Sequence, residues 1–254
     1  MAEHSFHTPL PLALEVSIPA GDIEVETVDG EESTIVVEGD EQLVHDTRVS
    51  HDGNRLLVEF KGRKGRPFGL VLQIGSFNWG QDGIRVRARV PHGAAAKLST
   101  ASADLTLAGR VRSLEVKTAS GDVEVRGEVE ESATVKTVSG DVELDRVGAD
   151  LSVNTVSGDV RAGFVGGSSE VRSVSGDIRL DAVREGRASF TSVSGDVEVG
   201  IAQGSFLDVD AGSTSGDLSS EVPLASDRSG DGDGPTVVVR GKTISGDVRI
   251  FRAA

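Results

Sequence analysis

The residues that could do chemistry in this chain recur on a period. Ser-Gly-Asp stands at Ser120-Gly121-Asp122, Ser139-Gly140-Asp141, Ser157-Gly158-Asp159, Ser175-Gly176-Asp177, Ser194-Gly195-Asp196, Ser215-Gly216-Asp217 and Ser245-Gly246-Asp247. A degenerate copy, Ser102-Ala103-Asp104, precedes them, and from it the Asp-to-Asp steps are 18, 19, 18, 18, 19, 21 and 30 residues. A column of carboxylates could hold calcium, which takes six to eight oxygen ligands. The Gly-Gly-x-Gly-x-Asp repeat of calcium-binding β-helices is missing, however. A residue present in every unit is more simply part of the unit, with Gly admitting a tight corner and Asp bonding nearby backbone N–H groups.

Other candidate chemistry is sparse. Asp227, Asp231 and Asp233 place oxygen ligands at odd spacings in a polar Gly-rich stretch, a weak calcium option that lacks the closing Glu of an EF-hand. All five histidines (His4, His7, His45, His51 and His92) precede the repeats, and none has the partners of a metal site. No Ser stands in a G-x-S-x-G elbow, and no Walker or dinucleotide loop occurs. The sequence therefore offers no catalytic residue and no cofactor site, and it reads as a non-enzyme. One basic and aromatic stretch, with Arg63, Lys64, Arg66, Phe68 and Trp79, is a candidate contact loop for an anionic partner, against the plainer reading of a solvated hairpin.

The elements that must carry these residues are short strands. After each Asp the chain alternates apolar and polar, as in Val123-Glu124-Val125 and Ile178-Arg179-Leu180, which is a strand with one buried face. A second apolar column lies upstream of each Ser (Leu98, Val116, Val135, Val153, Val171, Phe190, Ala211). A third follows each Asp (Val111, Val129, Val147, Val165, Val183, Ile201). One unit cannot bury three columns alone; stacked units can, with like residues about 4.8 Å apart. The pattern predicts an all-β single-stranded β-helix, a β-solenoid of 18–19-residue coils, with right-handed winding favoured by its parallel crossovers. No helix is expected. Residues 1–95 read as an irregular β cap and 96–254 as the regular solenoid, with a disordered loop near 225–235. The hairpin turn falls at Asp52-Gly53, and Ala20-Gly21-Asp22 is a faint early copy of the triplet. The stretch from Thr243 to Phe251 is expected to be the last rung of the stack.

Two positions before each Ser stands Thr or Ser in all eight copies: Thr100, Thr118, Thr137, Thr155, Ser173, Ser192, Ser213 and Thr243. The next residue is apolar in seven of the eight. Alternation cannot bury both, so the strand must bend. The hydroxyls read as a stacked hydrogen-bonded ladder, with the side they face left open.

Composition narrows the setting. The 254 residues carry 41 acidic and 26 basic side chains, a formal charge of −15, which disfavours binding to nucleic acid or anionic lipid. There is no Cys, and hence no disulfide or thiolate site. No apolar run is long enough to span a bilayer. Met1-Ala2-Glu3-His4 does not open a signal peptide, so the chain as written reads as cytoplasmic, and surface display would need an upstream segment.

The repeat, [Thr/Ser]-[Val/Ala]-Ser-Gly-Asp-[Val/Ile]-x-[Val/Leu], with its lead-in Val90-Pro91-His92-Gly93, resembles the bacterial "putative adhesin" β-strand-repeat family, a domain of unknown function. The resemblance implies a β-solenoid and, by name, adhesion; it brings no catalytic residues. The expected role is a non-enzymatic binding or scaffold module for an unidentified protein or glycan, or for itself. A self-assembling bactofilin-like filament is the alternative, and a calcium- or carbohydrate-binding β-helix the weaker one. Every recurrent residue then has a structural task, the corners being Gly121, Asp122, Gly140, Asp141, Gly158, Asp159, Gly176, Asp177, Gly195, Asp196, Gly216, Asp217, Gly246 and Asp247.

Overall fold

The computed structural model describes residues 1–61, 83–222 and 234–253. The chain is an all-β solenoid, and it divides into two compact units, Met1–Gly127 and Glu128–Ala254. Three of the sequence features fall outside the described residues: Asp227, Asp231 and Asp233; Arg63, Lys64, Arg66, Phe68 and Trp79; and most of the 225–235 stretch.

The first unit holds β1 (Ala2–His7), β2 (Ala13–Val28), β3 (Glu32–Glu38), α1 (Glu41–Asp46), β4 (Thr47–Asp52), β5 (Arg55–Phe60), β6 (Ile84–Pro91), β7 (Ala95–Val111), β8 (Ser113–Lys117) and the start of β9 (Val123–Val129). The strand β2 is the pivot. It runs parallel to β7 from Ala13↔Ala95 to Glu26↔Ala108, so Ala20-Gly21-Asp22 lies in register on Ser102-Ala103-Asp104. Its other edge pairs in parallel with β5 and then β6. Antiparallel strands follow outward: β4 on β5 through the Asp52–Arg55 hairpin, β3 on β6, and β1 on β3. A short helix was not expected from the sequence, yet α1 forms, with the Asp40 carboxylate accepting from the Gln42 N–H at 2.9 Å as its N-cap. Six residues leave too little periodicity to register.

The second unit completes β9 and holds β10 (Ala133–Lys136), β11 (Val142–Val147), β12 (Leu151–Asn154), β13 (Val160–Val165), β14 (Ser169–Arg172), β15 (Ile178–Val183), β16 (Gly186–Thr191), β17 (Val197–Ile201), β18 (Phe206–Ser215), β19 (Leu218–Ser220), β20 (Thr236–Ser245) and β21 (Val248–Arg252). All pair in parallel. Before the corner the order is β10, β12, β14, β16, β20, β18; after it, β11, β13, β15, β17, β21, β19.

That order corrects the expected stacking. The C-terminal coil is not the last rung: β20 lies between β16 and β18, and β21 between β17 and β19. The physical reason is side-chain content. The C-terminal coil brings Val237, Val239, Val248 and Ile250, all fully buried, whereas β19 is exposed throughout and β18 carries Asp208 and Asp210 on its outer face. The apolar coil gains most from neighbours on both sides. Among the described residues the polar coil forms the edge, where charge discourages further pairing.

The three apolar columns form the core. Val135, Val153 and Val171, and Val147, Val165 and Val183, are each fully buried, and each such side chain contributes about 1.5–3 kcal/mol of transfer free energy. The longest Asp-to-Asp step, 30 residues, falls where the chain returns to a slot one rung back.

Candidate binding surface along the corner

Each corner is built by three adjacent residues with different tasks. Gly158 has φ of 119°, and a Cβ there would overlap the Gly140 carbonyl oxygen of the rung beside it. Only glycine fits such a backbone at that distance. The neighbouring Asp holds the next rung. The backbone N–H groups of Asp159, Asp177, Asp196, Asp247 and Asp217 donate to Oδ1 of Asp141, Asp159, Asp177, Asp196 and Asp247 respectively, at 2.8–2.9 Å. In the first unit Asp122 N–H donates to Asp104 Oδ1 at 3.0 Å. Gly121, Gly140, Gly176, Gly195, Gly216 and Gly246 share the positive φ. The Asp column thus spends one oxygen per rung on backbone, and among the described residues no group of three acidic or imidazole side chains could hold a metal ion.

The hydroxyl column faces inward but is not a ladder. Thr118, Thr137, Thr155, Ser173, Ser192 and Thr243 are buried, and each hydroxyl donates to the carbonyl of the Ser two residues on, at 2.8–3.2 Å. In these six the bonds run within a rung, whereas the buried Thr100 hydroxyl donates across to the Pro19 carbonyl at 3.4 Å. A hydroxyl taken into the core would be costly without an acceptor, and the bent strand supplies one locally. Ser213, on the edge coil, instead reaches across to the Gly246 carbonyl at 2.9 Å.

Because the hydroxyl turns in, the following residue must turn out. Val138, Val156, Val174, Val193 and Ile244 are between 42% and 56% exposed. Their neighbours Ser139, Ser157, Ser175, Ser194 and Ser245 form successive parallel bridges, so the five side chains stand in a row. Four steps at strand spacing make a ridge about 19 Å long. It stops at Thr214 on the edge rung, where Ser215 pairs with Ser245. The sequence shows the conflict at this position without marking any of these five as functional. The signal was the apolar residue that follows the Thr or Ser in seven of the eight copies.

The ridge has unlike flanks. On the upstream side the column reads Lys136, Asn154, Arg172, Thr191 and Lys242, all exposed but the half-buried Asn154, while on the downstream side stand the five Asp residues Asp141, Asp159, Asp177, Asp196 and Asp247. Away from it, the wall after the corner carries an ion-pair zipper: Arg161 to Asp181 at 3.2 Å, Arg179 to Asp181 and to Glu198, and Arg249 to Glu221 at 2.7 Å. That wall is matched internally.

Two other places were candidates on chemical grounds. An open trough of about 720 Å³ on the wall before the corner is lined mainly by Ser and Thr, with Asp150, Glu170 and Arg187 among the lining residues and no aromatic ring. In the first unit Thr27 Oγ1 lies 2.6 Å from His92 Nδ1, and His92 Nε2 lies 3.6 Å from Asp29. The order imitates a hydroxyl–imidazole–carboxylate triad. The hydroxyl, however, is buried and accepts the Arg110 N–H at 2.7 Å, so it is held as a structural acceptor.

Comparison with known proteins agrees with the architecture. The sequence model of the Toastrack DUF4097 family matches residues 12–251. The chain is similar to the crystal structure of a "putative adhesin" from Bacteroides fragilis, with a TM-score of 0.52, 13% identity, and coverage of 98% of this chain and 96% of that one. It is also similar to a "putative lipid binding protein" from Parabacteroides distasonis, with a TM-score of 0.62, 16% identity and the same coverage. No curated protein matches.

Proposed function

The chain belongs to the Toastrack DUF4097 family, and we propose from its surface that it is a non-catalytic binding module. Its contact line is the aliphatic ridge from Val138 to Ile244. One observation carries this reading. Nearly every other recurrent position is occupied in the fold: columns buried, hydroxyls bonded, glycines in corners, Asp oxygens on backbone. Among the described residues the ridge alone repeats an apolar side chain into solvent. A row of exposed aliphatics on a rigid framework is the usual mark of an interaction site.

The filament alternative has lost its motive, since the coil expected to offer an open end is interior and the edge coil is polar. The trough would serve a glycan poorly without a ring to stack on a sugar. Among the described residues no helix is long and apolar enough to cross a membrane.

The test compares the wild-type chain with the triple variant V156S/V174S/V193S. Three probes are used: vesicles of phosphatidylethanolamine and phosphatidylglycerol, a glycan array, and the chain itself in sedimentation. The two named neighbours suggest the first two probes. The expected result is that an interaction of the wild type is lost in the variant while the melting temperature holds. A variant that retains every interaction of the wild type overturns the reading.

A further inference from the structure

We propose that the partner of the ridge is the same ridge of a second copy of this chain, the two related by a two-fold axis running parallel to it. The inference rests on the ridge being the contact line, and it adds the occupant and the orientation.

Three features point to a second copy. The ridge presents one aliphatic side chain per rung at about 4.8 Å, so an identical ridge matches it in length and pitch. An isologous two-fold contact needs one self-complementary patch on each partner. The flanks then select the direction. Each rung crosses the ridge in the same sense, as in Lys136-Thr137-Val138-Ser139-Gly140-Asp141. Lys136, Arg172 and Lys242 are therefore exposed on one side, and Asp141, Asp159, Asp177, Asp196 and Asp247 on the other. Rotation about an axis parallel to the ridge exchanges the sides, so the basic flank of one copy meets the Asp flank of the other. A two-fold axis perpendicular to the ridge would set Asp against Asp, a like-charge contact that disfavours that orientation. The same Asp flank opposes an anionic bilayer.

The extent of the patch sets the strength. Five half-exposed aliphatic residues fall well short of the roughly 800 Å² per partner of a standard interface, so the pairing belongs to the weak, transient class.

The absence of Cys makes the test clean. In the parallel arrangement every ridge position meets itself. V138C, at one end, and V174C, at the centre, should each form a covalent homodimer under mild oxidation at least tenfold faster than E143C, which lies off the ridge. The antiparallel arrangement would link V174C alone and would couple V138C to I244C. V138C reacting no faster than E143C overturns the proposal. Sedimentation supplies the second measurement: association of the wild type should weaken at least tenfold in V174E, whose site is exposed and whose melting should hold. A wild type that stays monomeric, with a ridge variant that still loses vesicles or glycans, overturns the second copy and leaves the contact line standing. A ridge variant that changes neither overturns both.

Discussion

Gly241 lies against the ring of Phe190. The two are in register between β20 and β16, and a Cβ on Gly241 would sit 2.6 Å from the ring. Phe190 follows Val135, Val153 and Val171 in its column and is the one aromatic residue there, and it fits because its neighbour has no side chain. In chain order its partner would have been Ala211. G241A should therefore destabilise the protein by about 1–3 kcal/mol through overpacking. F190V should cost a similar amount through the space it leaves. The double variant should cost clearly less than the sum. Chemical denaturation of the four proteins checks this, and strict additivity would contradict the inserted coil.

The insertion also predicts an unusual effect of truncation. Ending the chain at residue 233 removes a middle rung, and β18 and β19 lose their sole described strand neighbours. Amide hydrogen exchange over 206–220 should then become fast, and proteolysis should enter there. Were β20 and β21 the final rung, those amides would stay protected.

Corner glycines should be unequal to loop glycines. Gly158→Ala meets both the positive φ and the Gly140 carbonyl, and should cost about 2 kcal/mol or more. Gly204→Ala has φ of 83° and open space around it, and should cost about 1 kcal/mol. Thermal melting separates the two; equal losses would show that crowding between rungs is unimportant.

The corner Asp needs an acceptor oxygen, not a charge. Asp159→Asn keeps an oxygen for the Asp177 N–H and removes one carboxylate from a stacked column, so stability should stay within about 0.5 kcal/mol or rise. Asp159→Ala leaves that N–H without its partner and should cost about 1 kcal/mol. A larger loss for Asn than for Ala would point to a role for the charge.

Glu115 gives the clearest dependence on pH. Its carboxylate is held below the ordinary range first by the Lys117 ammonium at 2.5 Å and then by Lys97 at 3.3 Å, against some opposing desolvation. A folded-state pKa lower than the unfolded one stabilises above the unfolded value, about 4.5. The gain fades as pH falls through the folded value. E115Q should thus melt slightly below the wild type at neutral pH and level with it once both states are protonated. A difference that persists unchanged into strong acid would rule out this ion pair as its source.

The sequence by itself determined the repeating unit. Period-2 alternation, the Gly that a crowded corner demands and the valine columns follow from local sterics and from burial that every rung shares, so Val153 or Gly158 could be assigned without coordinates. Only the tertiary structure decided the order of the rungs, because Val237 and Val248 fit equally well on any neighbouring coil and nothing local says which. The inward turn of Thr155 and the outward turn of Val156 were likewise undecided, since alternation allowed either residue to be buried. The bent strand settled it by offering the Ser157 carbonyl to the hydroxyl inside, and so sent the valine into solvent.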